Sequence, residues 1–70
     1  MEIRILHDPD GAYGYPKGDI ITGEQFVNDY INYLLANGEL DKANFLRQMH
    51  IRKAIDYVAD KWDIDYECVK

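Results

Sequence analysis

The spacing of apolar positions changes period several times along the chain, and each change marks an element. From Glu2 to His7, Ile3 and Ile5 fall on one side and Glu2 and Arg4 on the other, the period of two expected for a half-buried strand. Asp8-Pro9-Asp10-Gly11 ends it: proline fixes its own φ, the aspartates bond nearby amides, and glycine accepts a positive φ. Ala12 to Tyr15 reads as a returning second strand. Pro16-Lys17-Gly18-Asp19 is a second turn, and Ile20-Ile21 a short apolar stretch suited to pairing with the first strand.

Thr22 followed by Gln25 has the spacing of a capping box, which predicts a helix start. Phe26, Val27, Tyr30, Ile31, Leu34 and Leu35 then recur at helical spacing, and Asn37-Gly38 supplies a left-handed stop. A second helical pattern runs from about Leu40 to Trp62, but its apolar side shifts partway. Ile51, Ala54, Ile55, Val58 and Trp62 share one face, with Leu40 near it, whereas Phe45, Leu46 and Met49 project to the far side. Two readings follow. Either the helix breaks between Gln48 and Ile51, or it is continuous and the Phe45, Leu46, Met49 surface is covered by the sheet or by another chain.

Asp63 to Val69 alternates again, with Ile64, Tyr66 and Cys68 opposite Asp63, Asp65 and Glu67. The whole reads as one small α+β domain over residues 1–70: an N-terminal strand or hairpin, two to three helices, and a C-terminal strand joining a small sheet.

Composition narrows the class. A chain of 70 residues has room for one core, and 47% hydrophobic content with nine aromatic side chains is too rich for disorder. Such a core supplies only ~3 to 5 kcal/mol, so self-association or a partner would complete its stability. The single Cys68 allows no internal disulfide, which fits a reducing compartment. No stretch approaches the length of a membrane span and no basic-apolar leader opens the chain, so a cytoplasmic location without a membrane partner is expected.

Enzyme chemistry is sparsely provided. The chain has no serine, one threonine and one cysteine, and Thr22 is taken up as a cap. Cys68 lies among acids, which suppress its thiolate. His7 and His50 have no triad spacing. His7, Asp8 and Asp10 lack the further oxygen ligands of a calcium loop, and His7, His50 and Cys68 lack the paired short spacing of a zinc site. Gly11, Gly14, Lys17 and Gly18 imitate a phosphate loop only superficially, because Pro16 removes an amide and no Ser or Thr follows the lysine. No catalytic residue, cofactor or metal is expected.

Charge carries the functional expectation. The net charge is -5, from thirteen acids against eight bases, which disfavours direct nucleic-acid binding and favours a cationic partner. Arg47, His50, Arg52 and Lys53 form a basic stretch, and the tail is acidic again. Asp56, Asp60, Asp63, Asp65 and Glu67 are interleaved with Trp62 and Tyr66. Helix rules oppose these anions, since the C-terminal end of a helix is already negative and Asp56 and Asp60 are four apart. On a strand, Asp63, Asp65 and Glu67 would place carboxylates every ~6.7 Å, about two axial phosphate steps of DNA.

The expectation is a non-enzymatic binding protein. Its acidic charges would steer it to a basic protein surface, with Trp62 and Tyr66 as anchors, in the extreme case as a DNA mimic inhibiting a nucleic-acid-binding protein. Small, acidic, cysteine-poor chains of this kind look like accessory proteins of phages or mobile elements. The alternative is a structural or assembly subunit, a homodimer formed through Phe45, Leu46 and Met49.

Overall fold

A computed structural model describes residues 1–7, 15 and 17–69, so the expectations for Asp8 to Gly14 and for Pro16 lie outside the described residues. The elements are β1 (Glu2–His7), β2 (Ile20–Thr22), α1 (Gly23–Ala36), α2 (Leu40–Gln48), α3 (Ile51–Trp62) and β3 (Asp65–Cys68). The three strands form an antiparallel sheet in the order β2-β1-β3, and the fold is α+β.

Alternation in β1 decides which way the sheet faces. Ile3 and Ile5 have no exposed surface, while Arg4 shares the opposite side with Ile20 and Glu67, its cross-strand neighbours. Pairing of β1 with β2 sets Ile3 against Ile21, and backbone bonds from Ile5 N to Asp19 O (2.8 Å) and Gly18 N to Ile5 O (2.6 Å) extend it. Gly18 has φ 87°, as its turn requires. On the other edge Ile3 faces Cys68 and Ile5 faces Tyr66, with an irregularity before His7 meets Asp65.

Thr22 caps α1: its hydroxyl accepts from Gln25 N at 3.0 Å. The Gln25 amide donates instead to Asp29 Oδ1 (2.7 Å), so the reciprocal half of the capping box is not made. Phe26, Val27, Tyr30, Ile31 and Leu34 are buried, Asn37 is the C-cap and Gly38 follows with φ 75°. Burying a side chain such as Phe26 or Leu34 contributes roughly 1.5 to 3 kcal/mol.

The helical pattern from Leu40 to Trp62 breaks at Met49 and His50. Both are extended, with ψ 144° and 139°. The physical reason is the shift of apolar face. With the break, α2 turns Ala43 and Leu46 inward while α3 turns Ala54, Ile55 and Val58 inward, and both helices pack on α1. His50 starts α3 by accepting from Arg52 N at 3.2 Å, a capping role that its place in a basic run did not suggest. Leu40, expected near the α3 apolar face, is 61% exposed.

Gly23 is a close-approach position. A Cβ there would lie 2.4 Å from Ile55 Cδ1, and Ile55 is fully buried. Gly23→Ala is therefore expected to destabilise by ~1 to 3 kcal/mol in urea unfolding. Ile55→Val removes the clashing methyl, so the double variant should lose less than the sum of the two single losses; strict additivity would refute the contact.

Candidate functional site

The C-terminal end of α3 is where the expected acidic residues meet. Ile64 N donates to Ala59 O at 2.9 Å, closing the helix, and Asp63 occupies the left-handed C-cap with φ 54°. Glycine most often holds such a position, and Asp is among the few other residues that adopt it, because its short polar side chain can hydrogen-bond locally. Trp62 and Ile64, on either side, are buried. Inward anchoring of these two forces the intervening acid outward.

Asp60, Asp63 and Asp65 line one open cleft of about 300 Å³, together with Ala59, Ile64 and Tyr66. All three aspartates are exposed, and among the described residues none of them forms an ion pair. The described ion pairs are Arg4 with Glu67 (2.6 Å), Lys42 with Glu39 (3.0 Å) and the N-terminal ammonium with Glu24 (3.9 Å). Among the described residues, Arg47, Arg52, Lys53 and Lys61 therefore form no ion pair with the tail's acids.

This arrangement changes the expected row. The strand starts at Asp65, not Asp63, so Asp63, Asp65 and Glu67 are not three successive carboxylates on one strand face. Glu67 instead points across the open face of the sheet to Arg4. Asp56 accepts a hydrogen bond from the Tyr66 hydroxyl, which ties α3 to β3 beside the cleft. Asp60, Asp63 and Asp65 remain as a compact exposed group lining the cleft, with the half-buried Tyr66 beside them. Trp62 is 8% exposed and belongs to the core.

The expected self-association residues separate. Leu46 is 2% exposed and sits in the core, Met49 is half-buried, and Phe45 is 60% exposed. They do not form one surface, because the break after Gln48 lets α2 roll Leu46 onto α1.

The charges of α3 run against its backbone dipole at both ends. Arg52 and Lys53 occupy its first turn and Asp60 its last, with Lys61 the one favourable charge there. Among the described residues, no group of three or more His, Cys, Asp or Glu is placed to hold a metal ion. No described helix is long and apolar enough to cross a membrane.

Compared with known protein families, curated proteins and solved structures, the chain matches none.

Burial, with the hydrogen bond and negative charge of Asp56, pushes the Tyr66 phenol from 10.0 up to about 12. Because the folded form holds this proton more tightly, its contribution to stability is complete below pH 10 and is lost as pH rises toward 12. An ultraviolet phenolate titration should show a tyrosine ionising near pH 12 whose midpoint falls in Asp56→Asn, partway only, since burial persists. An unchanged midpoint would contradict the Tyr66–Asp56 contact.

Proposed function

We propose that the chain is a non-enzymatic binding protein whose cleft at the end of α3 accepts Lys or Arg side chains from a basic protein surface. The observation that carries this reading is the convergence of Asp60, Asp63 and Asp65 on one cleft with no ion pair to a described cation.

The mechanism is electrostatic steering followed by local docking. A net charge of -5 favours approach to a cationic surface and repels nucleic acid. A surface that binds DNA or RNA carries clustered Lys and Arg, so occupying it makes the chain an inhibitor by charge mimicry. The mimicry rests on a compact carboxylate group rather than on a long row at phosphate spacing, since Glu67 is engaged by Arg4. Occupation of that surface by this cleft inhibits without chemistry of its own, in the manner of an accessory factor.

Three exposed charge contacts at ~0.2 to 1 kcal/mol each imply an affinity loss of roughly 3- to 150-fold when all three acids become amides. The test immobilises the native chain and the Asp60→Asn/Asp63→Asn/Asp65→Asn variant, exposes both to cell lysate, and elutes with a salt gradient. The expected result is a basic protein held by the native chain, released by moderate salt or by competing duplex DNA, and released from the variant at lower salt. Equal retention by the two chains, or retention indifferent to ionic strength, would refute the proposal.

A further inference from the structure

The acidic cleft adjoins the outer edge of β3. In the sheet order β2-β1-β3 this strand is terminal, so among the described residues no strand lies beyond it. Val69 N donates to Glu2 O at 3.0 Å, and hydrogen-bonding groups alternate along antiparallel strands, so the amides of Val69 and Glu67 face β1. Those of Tyr66 and Cys68, with their carbonyls, therefore face outward. Cys68 is exposed although Ile3, its cross-strand neighbour, has no exposed surface, so no described helix covers this end of the edge. Two amides and two carbonyls are left for an extended chain to bond.

The charges along this edge do not balance. Arg4 and Glu67 pair at 2.6 Å, and Arg52 and Asp56, four apart on α3, offset each other. Asp60, Asp63 and Asp65 stand outside these pairs. Arg52 and Lys53 occupy the first turn of α3, ~10 to 12 Å along the helix axis from Asp60, and Lys61 lies over the Tyr57 ring at 5.4 Å. His7, opposite Asp65, forms no described ion pair with it.

On the footing of the acidic-cleft reading, we propose that the partner supplies an extended segment bearing Lys or Arg, which adds as a fourth strand along β3. Its backbone bonds Tyr66 and Cys68 while its basic side chains reach Asp60, Asp63 and Asp65. Charge selects this occupant. Two copies of β3 paired antiparallel about Glu67 would set this acid against its own counterpart, and like charges directly opposite destabilise a sheet. The acids that bar self-pairing at the edge admit a basic strand.

The test adds a short peptide of alternating lysine and valine to the full-length chain labelled with nitrogen-15, and follows amide shifts and hydrogen exchange. In the free chain the Tyr66 and Cys68 amides should exchange quickly and those of Glu67 and Val69 slowly. At saturation, exchange at Tyr66 and Cys68 should slow by about tenfold or more. Peptides with N-methyl groups on every valine amide and every lysine amide keep their charge but lose strand pairing, and should bind about tenfold more weakly or worse. Asp60→Asn/Asp65→Asn should weaken the unmethylated peptide by roughly 2- to 30-fold. Shifts at Asp60, Asp63 and Asp65 with no protection at Tyr66 and Cys68, and equal affinity of the methylated peptides, would overturn strand addition while leaving the cleft reading intact. Binding by no lysine peptide, or equal binding of a glutamate-valine peptide, would overturn it too, with retention in the salt gradient judging the cleft separately. So would protection of Tyr66 and Cys68 that rises with protein concentration alone, since a second copy would then be the occupant.

Discussion

The packing of Trp62 against α1 is the interaction on which the arrangement of the rest depends. Its ring meets Tyr15, Phe26, Tyr30 and Tyr33 at centroid distances between 5.0 and 6.3 Å, mostly edge to face. Each such pair contributes about 0.5 to 1.5 kcal/mol beyond the area it buries. Trp62 is also the last residue of α3. Holding it fixes where the chain leaves the helix, and the left-handed Asp63 and buried Ile64 then aim β3 back along β1. The acidic cleft is a consequence of that exit: hydrophobic anchors at 62 and 64 leave positions 60, 63 and 65 in water.

The same junction gathers acids on one side of α3. Toward β3 lie the acids of the cleft; toward α2 the charges around Tyr57 and Phe45 are mixed, Asp60 and Asp41 standing as near along their helices as Lys53 and Lys42. Inside α3 this distribution opposes the macrodipole, because Arg52 and Lys53 stand at its positive end and Asp60 at its negative end. The helix does not need these charges for its own formation. Its strongly apolar inner face, Ala54, Ile55, Val58 and Trp62, supplies the stabilisation that tolerates them.

Much of the fold was legible because local pattern and tertiary packing agree. Alternation placed Ile3 and Ile5 inside, Thr22 capped α1, Asn37-Gly38 ended it, and the shift of apolar face between Leu46 and Ile51 left open two readings, of which the break, at Met49 and His50, is the one found. What was illegible depends on register or on the turn of one helix against another. Arg4 meets Glu67 only because β1 and β3 pair in one register, and nothing local announces a partner 63 residues away. Leu46 reads as surface on a continuous helix and as core on a broken one, which is why it leaves Phe45 exposed alone. Period-two alternation from Asp63 suggested a strand two residues too early, because Asp63 and Ile64 alternate equally well in a helix-closing turn.

The central claim is that the fold holds carboxylates of the α3 exit in place without neutralising them, and stability measured against salt tests it most directly. The native chain and the Asp60→Asn/Asp65→Asn variant would be unfolded by urea at low and at high ionic strength. Uncompensated acids beside a negative helix end predict that the variant is the more stable at low salt, by ~0.3 to 1 kcal/mol per removed charge, and that added salt erases the difference. A variant less stable than the native chain at low salt would mean that these carboxylates already have cationic partners within the fold, and the account would be wrong.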